Sequence, residues 1–166
     1  FWDETLRRDL LQADAVIPSL DAGDEELFQK INRPHPALSF ERMVEGLIEF
    51  RKLYHGKLWL EVFLVNQMNT TRQELDHLKE HVERIRPDRI QLNTVVRPPA
   101  EEWAQRVPDE DMERICAFFG NAEVIIPYHK HSLPDIEQTS DDILALLRRR
   151  PCTLEDISNG LGIHRN

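Results

Sequence analysis

The stretch Val16-Ile17-Pro18-Ser19-Leu20-Asp21-Ala22-Gly23-Asp24-Glu25-Glu26-Leu27-Phe28 decides how the rest of the chain is read. It begins as a short apolar run. Ser19 and Asp21 interrupt that run at alternate positions, so in an extended segment both face the same way. Ala22-Gly23 ends the run, and Asp24 is a good N-cap for a helix over Glu25–Ile31. The pattern predicts a strand that leads straight into a helix and is polar at its C-terminal end.

The same alternation continues on both sides. Leu6, Leu10 and Leu11 set a helical period over residues 3–12. Ser39 opens a helix over Phe40–Tyr54, stopped by Gly56. Leu58–Val65 is a strand, Thr71 starts a helix reaching about Arg86, and Pro87-Asp88 turns the chain. Arg89–Val96 is a strand, a loop runs to Pro108, Asp109–Phe119 is helical and Glu123–Tyr128 is the last strand. Strands separated by helices imply a parallel sheet with right-handed crossovers. Both half of a (β/α) barrel and a small doubly wound sheet meet that description. The first strand is followed by a single glycine, Gly23, rather than a Gly-rich phosphate fingerprint, which favours the barrel.

Residues 1–131 are therefore expected to form a partial (β/α) barrel of about four parallel strands with outer helices. Residues 132–139 have the composition of a linker. Residues 140–166 read as the start of a winged-helix or helix-turn-helix module. Ile143, Leu144, Leu146 and Leu147 stripe its first helix, Thr153 and Asp156 cap the second, and Gly162 precedes the third. The chain opens at Phe1 rather than Met and stops inside the would-be recognition helix, so it is expected to be a piece of a longer protein.

Charge and cysteine use narrow the function. Against 21 Lys+Arg stand 30 Asp+Glu, a net charge of −9, which argues against a chain built to coat nucleic acid. The Arg148-Arg149-Arg150 run suits a helix C-terminus. Cys116 and Cys152 form neither a metal-ligand spacing nor a disulfide framework, as expected of a cytoplasmic chain. No apolar run approaches the ~18 residues that cross a bilayer.

Strands covered on both faces read as nearly continuous apolar runs. Here each is broken near its C-terminal half: by Ser19 and Asp21, by Glu61, by Gln91 and Asn93, and by His129 and His131 after the last strand. Placed inward, Ser19, Asp21, Glu61, Gln91, Asn93 and His129 make a polar pocket at the C-terminal mouth of the barrel, where such folds keep their active sites. The opposite parity (Val16, Leu20, Leu60, Val62, Leu64, Leu92, Val124 and Ile126) suits packing against helices. Individually, each polar residue is explained as well by a strand end or a local hydrogen bond. Together they point to a small-molecule site, because burying several polar groups without partners is costly.

Three blocks resemble the radical S-adenosylmethionine (SAM) superfamily. Residues 16–28 with Lys30-Ile31-Asn32-Arg33-Pro34 are similar to its fourth barrel strand, acidic helix and "I-x-R-P" loop. Glu61–Asn69 is similar to the fifth strand and its "V-x-G-x-N" exit, with Gln67 where glycine is usual. Asp88–Pro99 is similar to the sixth strand. The nearest branch is that of iron–sulfur oxidoreductases related to tRNA wyosine synthetase and glycyl-radical activating enzymes. The resemblance implies two cofactors, SAM and a 4Fe–4S cluster, and reductive cleavage of SAM to a 5′-deoxyadenosyl radical. It places Ser19 and Asp21 against the methionyl or ribose part of SAM, Glu61 at the ribose or substrate, and Gln91 and Asn93 along the adenine. Arg97 and His129 are candidate substrate contacts. The substrate class implied is a tRNA base or a protein. The superfamily's CxxxCxxC cluster loop is missing from these residues, so the chain is expected to be inactive alone, with the triad upstream of Phe1 in the parent.

Other signals compete. His77-Leu78-Lys79-Glu80-His81 matches the inverted zinc-protease pattern H-x-x-E-H. Leu75, Leu78, Val82 and Ile85 take the buried stripe of that helix, however, which leaves the histidines on a solvated face. His129-Lys130-His131 has the spacing of a two-histidine metal clip but no carboxylate framework beside it. Two other functions stand next to the first: an ordinary (β/α)-barrel enzyme using strand-end carboxylates and histidines, and a helix-turn-helix binding module. Exposed sheet edges and the helix-turn-helix make a homodimer or a partner docked at either a further expectation.

Overall fold

A computed structural model describes residues 1–96 and 99–125, and beyond them residues 143, 144, 147, 148, 153, 154 and 157. Its elements are α1 (Glu4–Leu10), β1 (Ala15–Val16), α2 (Glu25–Asn32), α3 (Phe40–Leu53), β2 (Lys57–Leu64), α4 (Arg72–Ile85), β3 (Arg89–Thr94), α5 (Asp109–Phe119) and β4 (Ala122–Val124). Side-chain caps begin most of the helices. Asp3, Asp24, Ser39 and Thr71 accept from the backbone N–H three residues on, at 2.9, 2.8, 3.4 and 3.3 Å. Pro108 offers α5 no such bond, but Asp109, Glu110 and Asp111 place negative charge on its first turn. Arg33 and Arg86 end α2 and α4 in the left-handed region, each directly before a proline that cannot continue the helix.

All strand pairs are parallel and the spatial order is β1-β2-β3-β4. That order decides between the two architectures left open by the sequence. A doubly wound sheet reverses its winding at a switch point and is covered on both faces. With right-handed crossovers, an unreversed order puts every connecting helix on one face, as in a barrel wall.

The packing agrees with that winding. β2 and β3 alternate strictly between buried and half-buried residues after an exposed first one. The buried set of Leu58, Leu60, Val62, Leu64, Ile90 and Leu92 joins Val16 and Leu20 in one core. Phe28, Phe40, Val44, Leu47, Phe50, Leu75, Leu78, Val82, Ile85, Met112 and Ile115 complete that core from the helices. Each such aliphatic or aromatic side chain contributes about 1.5–3 kcal/mol when fully removed from water. At the strands' N-terminal end Asp88 ties three segments together. Its carboxylate accepts from Leu58 N–H at 2.8 Å and from both Arg51 guanidinium nitrogens at 2.8 and 3.0 Å, while its carbonyl accepts from Asn121. The Leu58 bond first, then Arg51, holds the Asp88 carboxyl below its ordinary range.

Several expectations shift in detail. The first strand is shorter than its apolar run. Only Ala15–Val16 pair regularly with Lys57–Leu58, and the chain rejoins the sheet at a single Ser19–Glu61 bridge. Pro18 lies between them and cannot donate to a ladder. β3 stops at Thr94, whose hydroxyl donates to Leu64 O at 2.9 Å and accepts from Val107 N–H at 3.0 Å, turning the chain into the following loop. β4 runs only from Ala122 to Val124 among the described residues; Ile126 and Tyr128 lie outside them. His77 and His81 are half-buried rather than solvated. His81 Nε2 bonds to Gly23 O at 3.0 Å and its ring meets Phe40 edge-on. Of the expected helix-turn-helix, residues 143, 144, 147, 148, 154 and 157 are helical and Ile157 N–H donates to Thr153 O. The rest of that segment and the linker 132–139 lie outside the described residues.

Gln67 has φ 60°, which explains why the motif it resembles carries glycine there. A residue with a Cβ is held in the left-handed region at a cost of roughly 1–2 kcal/mol. Its amide donates to Thr70 Oγ1 at 3.0 Å, a bond that glycine keeps. Gln67→Gly is expected to stabilise the chain by roughly 0.5–1 kcal/mol after the added unfolded-state entropy is subtracted. Urea denaturation checks this, and a destabilised variant would show that the glutamine side chain itself holds the turn.

Candidate functional site

The strand parity that sends leucines and valines toward the helices sends polar residues to the opposite face, away from the helices of the described residues. Ser19, Glu61, Gln91 and Glu123 are cross-strand neighbours in one continuous row. One step toward the strands' C-terminal ends come Asp21, Phe63 and Asn93. The structure thus brings together Ser19, Asp21, Glu61, Gln91 and Asn93, as parity predicts. Arg97 and His129 lie outside the described residues.

The row is held by side-chain hydrogen bonds between strands. Asn93 Nδ2 donates to Glu61 Oε1 at 3.1 Å, and Gln91 Nε2 donates to Glu123 Oε1 at 3.1 Å. Arg89 donates to both Glu123 oxygens at 3.1 and 3.2 Å while its guanidinium lies over the Trp59 ring. The Gln91 bond, followed by Arg89, lowers the Glu123 carboxyl from its usual value. Ser19 is exposed, while Glu61, Gln91 and Asn93 are half-buried.

Asp21 is more tightly engaged than its strand-end position suggests. Oδ1 accepts from Phe63 N–H at 3.0 Å, and Oδ2 accepts from Asn32 Nδ2 at 2.8 Å. Burial raises its carboxyl above the ordinary aspartate range. The Phe63 and Asn32 bonds pull it back, and the charge of Glu61 raises it further. Desolvation and a like charge commonly tune a carboxyl at a ligand site in this way.

Two residues of this region lie outside the set expected from the sequence. Asn69, fully buried in the turn after β2, accepts from Val65 N–H at 2.7 Å. It donates to Asp21 O at 2.8 Å and to Phe63 O at 2.7 Å, so it pins the segment between β1 and α2 to β2 beside the polar row. Its signal was the "N" of the exit motif, which marks the residue without revealing its bonds. Glu123 shares the parity of its strand with the row but sits at a predicted strand's first position, where a charge calls for no explanation.

This arrangement is a strip of carboxylates, amides and a hydroxyl on a hydrophobic wall. It can bind hydroxyl, ammonium and amide-like groups of a small polar ligand. Among the described residues no helix is long and apolar enough to cross a membrane.

No family model matches the chain. In sequence it is 40% identical over 163 residues to GTPase Obg of Brachyspira hyodysenteriae, covering 95% of this chain and 24% of that protein. It is 29% identical over 162 residues to the UPF0026 protein MJ1312 of Methanocaldococcus jannaschii, covering 94% of this chain and 50% of that one. A UPF0026 protein of Helicobacter pylori is 27% identical over 160 residues, with 94% and 51% covered. The chain therefore spans about a quarter of the first relative and about half the length of the others. The 166 residues contain no G-x-x-x-x-G-K-[ST] loop, so the stretch shared with the GTPase is not a P-loop.

Among solved structures, a radical SAM methyltransferase from Sphaerobacter thermophilus superimposes with a TM-score of 0.57 at 16% identity, covering 73% of this chain and 37% of that one. A domain of pyruvate-formate lyase-activating enzyme from Bacteroides vulgatus gives 0.59 at 12% identity, covering 74% of each chain. The fold is thus a parallel, four-stranded α/β half-barrel of the kind that radical SAM enzymes contain.

Proposed function

We propose that this chain supplies the C-terminal half of a radical SAM enzyme barrel, and that the open polar strand face borders SAM. The observation that carries the proposal is the row Ser19–Glu61–Gln91, with Asp21 and Asn93 one step beyond, on the sheet face opposite the helices of the described residues. The superposition on two radical SAM proteins and the three resembling sequence blocks support it.

The residues fit SAM better than they fit the cluster. Ser19 and Asp21 offer a hydroxyl and a carboxylate to the methionyl or ribose groups, Glu61 a carboxylate to the ribose or substrate, and the Gln91 and Asn93 amides an edge to the adenine. A 4Fe–4S cluster needs several cysteine thiolates. Cys116 is a single half-buried thiol on α5 whose Sγ already donates to Ala122 O at 3.0 Å. These residues do not suit a cluster, and the reading requires its ligands from outside this chain. The chain's own task is then to bind and orient SAM and to exclude water from one side of it. Arg97 and His129 are proposed substrate contacts, and the substrate class a tRNA base or a protein. The sparse cysteines, Cys116 being a free thiol, support a cytoplasmic setting.

The test uses the protein that carries these residues together with its cluster segment. After anaerobic reconstitution with iron and sulfide, reduction in the presence of SAM is expected to release 5′-deoxyadenosine. Glu61→Gln and Asn93→Ala are expected to slow that release by about tenfold or more, the loss of one well-placed hydrogen bond to a charged or buried group. Failure to form 5′-deoxyadenosine with an intact cluster would overturn the proposal.

A further inference from the structure

We propose that Asp24, Glu74 and His77 form a binding site for a first-row divalent cation, best matched by zinc, on the helix side of the sheet. Asp24 is the cap of α2, directly after the β1 segment, and Glu74 and His77 lie on the first turns of α4. Each side chain offers one ligand atom, and the three atoms all lie within 4.8 Å of one another. Ligands about 2.0–2.2 Å from a tetrahedral zinc stand roughly 3.4 Å apart, so small side-chain rotations close the set.

A second observation points to a missing partner. Glu74 Oε2 and His77 Nδ1 are both shut off from solvent, and neither finds a hydrogen-bond partner among the described residues. Buried polar atoms are nearly always paired, and two such orphans on residues grouped with the Asp24 carboxylate call for a common ligand. Burial raises the Glu74 carboxyl, and the nearby Asp24 charge raises it further while His77 lowers it. Helix dipoles account for part of the arrangement, since Asp24 caps α2 through Oδ1 and Glu74 sits at the positive end of α4. They explain the carboxylates but not the imidazole, which a cation would engage along with both.

The backbone favours the same grouping. A Cβ at Gly23 would come within 2.5 Å of His77 Cβ, so glycine is what lets α4 bring His77 beside Asp24. His81 does not belong to the set, because its Nε2 is taken by Gly23 O and its Nδ1 faces Arg84. The H-x-x-E-H pattern of this helix is thus not the metal motif. The pair that acts is Glu74 and His77, the i, i+3 spacing with which helices present a carboxylate and an imidazole to one ion. One nitrogen and two carboxylate oxygens suit zinc or a neighbouring first-row ion rather than calcium or magnesium, which prefer all-oxygen shells. Three protein ligands leave a fourth position for water.

The site is independent of the SAM reading and is tested on the 166-residue chain itself. After treatment with EDTA and its removal, titration with Zn²⁺ alone is followed by calorimetry, and titration with Co²⁺ by visible absorption. A saturable single-site event is expected. His77→Ala and Glu74→Gln should each weaken it by about 100-fold or more, beyond what loss of a supporting residue does. His81→Ala should leave it unchanged, and circular dichroism of the metal-free variants checks that they fold. If a variant fails to fold, the imidazole ¹H–¹⁵N resonances of the wild-type chain decide instead, with those of His77 expected to shift on addition of Zn²⁺. No saturable uptake, uptake unchanged in the folded His77→Ala and Glu74→Gln variants, or an unmoved His77 ring would each overturn the proposal.

Discussion

Replacing Asn69 with alanine is expected to destabilise the chain by roughly 3–5 kcal/mol, near the upper end for single substitutions. The side chain is fully buried and makes three hydrogen bonds to backbone groups of three different residues. Alanine leaves the Val65 N–H and the Asp21 and Phe63 carbonyls without those partners, and each such buried loss costs about 1–3 kcal/mol. Asn69→Asp tests the donor half separately. Its Oδ1 can still accept from Val65, but a second carboxylate oxygen then faces two carbonyl oxygens, so it should be at least as damaging as alanine. Urea denaturation followed by circular dichroism measures both. A loss below about 1 kcal/mol for alanine would mean that water replaces the amide at this site. Because Asn69 holds the backbone of Asp21, the same variant is also expected to disturb the polar face beside it.

The second large effect is expected at Gly23. Its backbone φ is unremarkable, so the need for glycine is one of space. An alanine Cβ would meet His77 Cβ at 2.5 Å, with Glu74 O and Leu78 N each at 3.4 Å. The obstructing atom belongs to the rigid start of a side chain on α4, so the helix must move rather than a flexible tip. Overpacking of this kind costs about 1–3 kcal/mol. Leu75, Leu78, Val82 and Ile85 pack the same helix into the core and resist the shift, which places Gly23→Ala toward the upper half of that range. Pairing it with His77→Ala gives a direct check. Removing the clashing ring beyond Cβ should restore little, because the contact is with Cβ itself, whereas His77→Gly should relieve the clash. Equal stability of Gly23→Ala and wild type would show that α4 is seated loosely.

Local chemistry made most of the elements readable. Asp24, Ser39 and Thr71 announce helix starts because a short side-chain oxygen satisfies an amide three residues on, a bond set within one turn. Pro87 announces the end of α4 for an equally local reason. The polar face was readable too, since alternation along a strand fixes which side chains share a side once the element is a strand.

What was hidden depends on contacts between segments far apart in the chain. The Asn69 bonds to Asp21 span 48 residues, and His81 reaches Gly23 across 58. Such pairings follow from register and helix seating, which no window of neighbouring residues contains. The histidines of α4 illustrate the point. Their helix period correctly sets Leu75, Leu78, Val82 and Ile85 inward, yet it places His77 and His81 on a solvated flank. The β1–α2 segment covers that flank instead, burying Nδ1 of His77 and bonding Nε2 of His81.

By itself, then, the sequence determined the alternation of strands and helices, the caps that bound them and the polar parity of Ser19, Asp21, Glu61, Gln91 and Asn93. These are properties of periodicity and of bonds closed within a turn. Tertiary structure decided the unreversed order β1-β2-β3-β4, the Asn69 tie between the β1–α2 segment and β2, and the meeting of Asp24 with Glu74 and His77. Each of these rests on which distant surfaces bury one another, and that choice is made by the packing of the whole core.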